Sequence, residues 1–386
     1  MIERIDLHAI RSWRHGGAGF GPGPQILWGD NGAGKTTLLE ACIVAAAGRS
    51  YRATALRDLL RGDEPVGAIT VTVGPGARDS ADPLEQAALG VEIPRGGRVR
   101  YSVAGQARAH AALAERLKVV AFVPEEAGLV VDAPAVRRAA IDRAAAQWRP
   151  GHGEALHRYE RTLRQRNRLL KELLDADGGE RRARQAELRA WTEQLVESGA
   201  DVVAGRLALL GGLAAPLAAA HREIAPAEGG LAAAYVSREG HAPAAQRDAI
   251  AAAILRALGD TAEAEGYQGT TLVGPHRDDV AFSIDGRDLA PTASRGQQRT
   301  LLLAWLFAQI TLLTDRAGRP PVLLLDDVFS ELDPARRDHL VERLADLPQA
   351  LITTTTLGDL SPGLVARSAT HHVLLEPGAG SRVAPA

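Results

Sequence analysis

Three short segments carry residue types that can act on a polyphosphate. The first, Gly29-Asp30-Asn31-Gly32-Ala33-Gly34-Lys35-Thr36, satisfies G-x-x-x-x-G-K-[ST]. Its glycines let backbone N–H groups close around an anionic phosphate, Lys35 can reach the β- and γ-phosphates, and the Thr36 hydroxyl can ligate Mg2+. The second is the apolar run 322–325 ending in Asp326 and Asp327. Alone, a strand followed by Asp-Asp is as readily a common turn; paired with the phosphate loop, Asp326 is placed to hold Mg2+ through water, and Asp327 to orient or deprotonate an attacking water. The third, Ser294-Arg295-Gly296-Gln297-Gln298, precedes the helical pattern 299–313 and suits close approach to a γ-phosphate. By itself that segment is better read as an ordinary serine N-cap with a polar first turn; its position about thirty residues before the Asp-Asp strand favours the phosphate reading.

These groups are useful only if strands and helices bring them together. Residues 25–28 predict a short buried strand and 35–47 a helix, the strand–loop–helix context of a phosphate-binding loop. Residues 1–10 alternate as a half-buried strand does, and 16–24 have the composition of a turn-rich loop. Short strands at 66–73, 89–93 and 99–103 predict an antiparallel sheet, and 118–123 another strand ended by Pro124. Residues 134–259 shift to Ala, Leu, Arg and Glu, a mainly helical insertion punctuated at 177–179 and 211–216. Within it Leu156, Leu163, Leu170 and Leu174 share one helix face, with Arg158, Arg161, Arg164, Arg168 and Lys171 opposite. Strand-like segments return at 270–273, 322–325 and 350–353.

The chain has 386 residues, 46% hydrophobic and 24% charged, which excludes wholesale disorder and a lone small module. A formal charge of -2 provides no global basic field, so any nucleic-acid surface must come from local clustering. Lysine occurs only at 35, 118 and 171, so a lysine inside a phosphate loop stands out against an arginine-rich background. The single cysteine, Cys42, cannot form an internal disulfide, and the charged opening lacks the apolar run of a secretory signal; a reducing cytoplasm is expected. Apolar stretches such as 301–313 fall short of a bilayer span, so no membrane segment is expected.

The three motifs in this order resemble the ATP-binding-cassette ATPases. A narrower resemblance, to the RecF family of bacterial replication and repair proteins, runs along nearly the whole chain. It is carried by GRSYR (48–52), PEE (124–126), Pro134 with Arg137-Arg138, and Tyr159 through RQRNRLLK (164–171). GPHRDD (274–279), SRGQQR (294–299), LLLDDVFSELD (323–333) and ITTT (352–355) complete it. The resemblance implies an α/β P-loop ABC-type ATPase head, residues 1–135 and 268–386, with an inserted helical lobe at 136–267. It further implies ATP and Mg2+ as cofactors. Ser294, Gly296 and Gln297 become the signature that caps ATP bound to a second subunit, and 330–333 a loop at that dimer interface. Asp327 replaces the usual glutamate, Pro124-Glu125 stands where a glutamine is common, and Thr354 replaces a histidine, which together suggest slow turnover.

By the same resemblance, the ATP-dependent homodimer binds single-stranded DNA, duplex DNA and gap junctions. It acts with RecR and RecO to load the recombinase in replication, gap repair and the SOS response. Arg161, Arg164 and Arg168 are then candidate DNA contacts, although such a stripe also suits a solvated face. A transporter ATPase would need a glutamine loop and a membrane-coupling surface, which the chain does not clearly offer; a chromosome-maintenance protein would need a longer helical lobe. His276-Arg277-Asp278-Asp279 lacks metal-ligand spacing and is better suited to a structural or interface role.

Overall fold

The computed structural model describes residues 1–75, 86–149, 151–174, 178–237 and 246–384, with side chains of 178–183 left aside. The chain folds as two compact units, Met1–Ala127 with Arg299–Ala386, and Gly128–Gln298. The first begins with β1 (Ile2–Ile10), β2 (Trp13–Gly19), β3 (Gly23–Trp28), α1 (Lys35–Ala47), β4 (Val66–Val73), β5 (Ala87–Pro94), β6 (Arg100–Val103), β7 (Gln106–Arg108), α2 (His110–Arg116) and β8 (Val119–Phe122). The second holds α3 (Pro134–Trp148), α4 (His152–Leu174), α5 (Gly178–Ile224), β9 (Leu231–Val236), α6 (Arg247–Asp260), α7 (Ala262–Gln268), β10 (Asp279–Ile284) and β11 (Arg287–Asp288). Then come α8 (Arg295–Ala317), β12 (Val322–Asp326), α9 (Val328–Glu331), α10 (Pro334–Leu344), β13 (Gln349–Thr354), α11 (Pro362–Ala366), β14 (Ala369–Glu376) and β15 (Gly380–Val383).

Two six-stranded sheets organise the first unit. One is antiparallel, in the order β2-β1-β4-β5-β6-β7; the other runs β15-β14-β3-β13-β12-β8 and is parallel except for the β14–β15 pair. Helix α1 touches strands of both sheets, so residues 37–46 are all buried and the helix has no polar face. In the parallel sheet the strands are apolar throughout, as burial on both faces requires: Leu323, Leu324, Leu325, Leu351 and Ile352 have no exposed surface. The glycines at 16–19, expected as a turn, are extended in β2, because pairing with β1 (Leu7 opposite Gly16, Ile5 opposite Ala18) outweighs weak local preference.

In the second unit Leu156, Tyr159, Leu195, Val203, Ile250, Ile254 and Val273 form the core. Helix α5 continues through Gly211, Gly212 and Pro216, where a break was expected, with Leu209, Leu213 and Leu217 buried around them. Asp177 of the other expected break lies outside the described residues. Contrary to expectation, one segment, Arg184–Ile224, is long and apolar enough to cross a membrane; here it packs on α3, α4, α6 and β9. Residues 270–273 form no strand; the unit's sheet is instead β11-β10-β9, of which the alanine-rich β9 lies inside the stretch read as helical.

Candidate nucleotide site

The parallel sheet delivers two of the motifs to one cleft. Strand β3 ends at Trp28, the glycine-rich loop follows, and α1 starts at Lys35; two strands away β12 ends at Asp326. All these residues leave the carboxyl edge of parallel strands, where α/β sheets form ligand crevices. The cleft, about 400 Å3, is lined by Asn31, Gly32, Gly34, Lys35, Thr36 and Thr37 of the loop. Asp326, Asp327 and 353–355 lie on its acidic side, with Arg11, Ser12, Arg52 and Pro124 around it.

Lys35 is 8% exposed and donates to the carbonyls of Gly29 at 2.5 Å and Asp30 at 2.9 Å. Burial lowers its pKa, while Asp327, Asp326 and Asp30 act to keep it protonated. Thr36 Oγ1 donates to Asp326 Oδ1 at 2.8 Å, and Thr353 Oγ1 donates to the same oxygen at 2.7 Å. Tyr51 donates to Asp326 Oδ2 at 3.1 Å. Three hydroxyls from three parts of the chain therefore aim one carboxylate. Asp327 has φ 51°, its N–H donates to Thr353 Oγ1 at 3.0 Å, and burial holds its pKa above the ordinary aspartate value, with the Asp326 charge adding to that.

Around the cleft's rim Glu40, 1% exposed, is gripped by Arg11 at 2.7 and 3.0 Å and approached by Arg52 at 3.8 Å. Ser50 donates to Glu40, and its oxygen accepts from the N–H groups of Arg52 and Ala53, both at 2.9 Å. This network sets the loop that presents Tyr51. Neither Tyr51 nor Glu40 was identified from sequence: Tyr51 meets its partner 275 residues away, and Glu40 occupies an ordinary helical position. Only the family-like GRSYR segment drew attention to that loop.

The third motif lies in the other unit at the start of α8. Ser294 Oγ accepts from Gln297 N at 3.2 Å and Gln297 Oε1 accepts from Ser294 N at 3.0 Å, a reciprocal capping box, with Gly296 in the same turn. Here the serine caps its own helix, as its composition alone allowed. On α4, Arg161, Arg164 and Arg168 are exposed, and Arg168 pairs with Glu172 at 2.8 Å. Arg166 of the same helix turns inward to Glu265 at 2.6 Å, Thr271 at 2.7 Å and Thr192 at 3.0 Å. Leu174, placed on the apolar face from spacing, is 49% exposed.

The 274–279 segment is a structural hub of its unit. Asp279 accepts two bonds from Arg137 at 2.8 and 2.7 Å, and Asp278 accepts from Tyr235. His276 Nδ1 pairs with Tyr159 at 2.6 Å, and burial pushes the imidazole pKa down to about 4, so the ring is neutral. Among the described residues no group of three His, Cys, Asp or Glu is placed to hold a metal.

Residues 1–362 match the model of the RecF/RecN/SMC N-terminal domain. A DNA replication and repair protein RecF from Geobacillus thermodenitrificans is 33% identical over 379 residues, covering 97% of each chain. A solved structure of the recombination mediator protein RecF with ATP, in the RecFOR pathway, superposes with a TM-score of 0.82 at 25% identity, covering 100% of this chain and 97% of that one. The Smc head domain from Pyrococcus furiosus shares the fold at a TM-score of 0.51 and 16% identity, over 99% of this chain and 95% of that one.

Proposed function

The chain belongs to the RecF family of DNA replication and repair proteins, with an ABC-type P-loop ATPase fold that binds ATP, and from that premise we propose an ATP-dependent recombination mediator. The observation that carries it is the Thr36–Asp326 hydrogen bond, which joins the phosphate loop to the acidic strand at one point in a cleft of nucleotide size. Lys35 and the loop N–H groups hold the phosphates, and Asp327 orients the water that attacks the γ-phosphate. Thr36 and Asp326 offer a hydroxyl and a carboxylate, hard oxygen donors that would hold Mg2+, and the ion would supply positive charge to offset that of the phosphates.

With one phosphate loop and one signature per chain, Ser294, Gly296 and Gln297 cap the ATP of a second copy, and two composite sites form in a homodimer. The dimer binds single-stranded DNA, duplex DNA and gap junctions, with Arg161, Arg164 and Arg168 among the contacts. It acts with RecR and RecO in the cytoplasm to load the recombinase for gap repair and the SOS response. The same two-part architecture supports this reading: an ATPase core from both ends of the chain, and a mainly helical lobe between them.

Light scattering of wild type and Lys35→Ala, each with and without Mg-ATP and gapped DNA, tests the proposal. Wild type should double in mass only with ATP and bind the gap more tightly in that form. An ATP-independent mass, or equal DNA affinity for both proteins, would count against it.

A further inference from the structure

Strands β14 and β15 touch both ends of the phosphate loop. At its start, Gly29 has φ 143°, and a Cβ there would stand 2.2 Å from the Val373 carbonyl oxygen. Next to it the Trp28 ring stacks on His372 with centres 3.8 Å apart. At its end, Gly34 has φ 101° and is enclosed by polar groups: a Cβ would stand 2.6 Å from Trp13 Nε1, 2.7 Å from Ser381 Oγ and 2.8 Å from Ser12 Oγ. The buried Trp13 donates its indole N–H to the Gly34 carbonyl at 3.1 Å.

Ser381 is the unusual member of this enclosure. It is 3% exposed, and its backbone N–H donates to Ser12 O at 2.9 Å, yet its hydroxyl has no hydrogen-bond partner. A buried hydroxyl left unpaired is unfavourable, and alanine of nearly the same size would avoid that cost. The hydroxyl can donate or accept, so it can satisfy either a carbonyl or an N–H that turns toward it. The neighbour with freedom to turn is the glycine-rich loop, whose function is to direct its N–H groups at a phosphate.

We propose that the Ser381 hydroxyl is a positioning group for the phosphate loop, bonding to its backbone when the loop adjusts to a bound phosphate, while the Trp13 indole fixes the Gly34 carbonyl. The C-terminal hairpin is thus a working part of the nucleotide site, although it lies beyond the residues matched by the family model, which end at 362. The inference rests on the ATP-binding reading above and adds residues from outside its motifs.

The test uses the full chain and a fluorescent ATP analogue, with nucleotide affinity measured by anisotropy and thermal unfolding measured without nucleotide. Ser381→Ala should melt at the same temperature or higher, because an unpaired buried group is removed. It should bind the analogue about five- to tenfold more weakly, the worth of one neutral hydrogen bond. Trp13→Phe, which keeps an aromatic ring without the N–H, should also lose affinity. Wild-type affinity for Ser381→Ala would overturn the proposal, as would parallel losses of melting temperature and affinity or a failure to fold, each of which marks a packing role. Lys35→Ala separates the two levels of argument. If it binds as wild type does, or wild type does not bind, the ATP reading fails; if only Ser381→Ala is unaffected, the positioning role alone fails.

Discussion

Exchanging Asp327 for asparagine should separate holding ATP from breaking it. The residue sits at φ 51°, a conformation asparagine tolerates, so the change requires no backbone adjustment. Its N–H bond to Thr353 at 3.0 Å and the Ser330 Oγ bond to its carbonyl at 2.8 Å involve only main-chain atoms of residue 327. What disappears is a carboxylate whose pKa is raised first by burial, then by Asp326, against the opposing pull of Ser330 and Lys35. A positioned general base contributes about 10²- to 10⁴-fold in rate, or roughly 2.7–5.5 kcal/mol of barrier. Single-turnover phosphate release should therefore slow by that factor, while ATP affinity holds or improves because one negative charge has left the phosphate's surroundings. A raised folded-state pKa contributes stability that is present at low pH and lost as pH rises through the folded value. Wild type should accordingly lose stability relative to Asp327→Asn from about pH 4 upward. Wild-type turnover, or loss of ATP binding, would refute the assigned role.

Mixing Lys35→Ala with Ser294→Arg chains should restore activity that neither has alone: random pairing makes about half the dimers mixed, each with one intact site, giving roughly a quarter of wild-type ATPase. No recovery in demonstrated heterodimers would argue against a signature acting in trans between independent sites. Removing Arg161, Arg164 and Arg168 together should weaken DNA binding and reduce the log–log salt slope by about 0.7–0.9 per lost phosphate contact. An unchanged slope and affinity in a salt titration would leave these exposed arginines as solvated surface. Arg206→Ala should cost about 3–5 kcal/mol in urea unfolding, because it leaves a buried carboxylate without its charged partner and with only the His152 ring beside it at 3.0 Å. Arg206 donates to both oxygens of Asp142 at 2.8 Å and, against the effect of burial, holds its pKa well below the usual range.

How much of this was legible in the sequence depended on the range of the interactions involved. The span of α1 was readable because a glycine-rich turn, a lysine and an apolar run are local signals. The β12 carboxylates were readable only in company: a leucine run ending in two aspartates is by itself a common turn, and the phosphate loop elsewhere in the chain is what singled the pair out. By contrast, β2 is extended by pairing with β1, and α5 runs through Gly211 and Pro216 because its flanking leucines are buried. Neither cause appears in a local window. Arg166 and Arg168 are two positions apart in the same basic run, yet one is paired with Glu265 in the core and the other is exposed. Trp13, Tyr51 and Ser381 were missed for a related reason: each acts on a motif it is distant from along the chain.

The place of β3 in its sheet has a consequence for synthesis. The strand that leads into the phosphate loop has β13 on one side and β14 on the other, and both follow it by more than three hundred residues. On a ribosome making about 5–20 residues per second, β3 would wait for tens of seconds before either hydrogen-bonding neighbour emerged. The antiparallel pair β1–β2, and β4 and β5 beside it, can assemble long before that. An apolar strand with both edges open invites mispairing in the interval. A premature stop before residue 349 would leave it in that condition permanently, so nascent chains and late truncations should be strong clients for chaperones that shield extended segments.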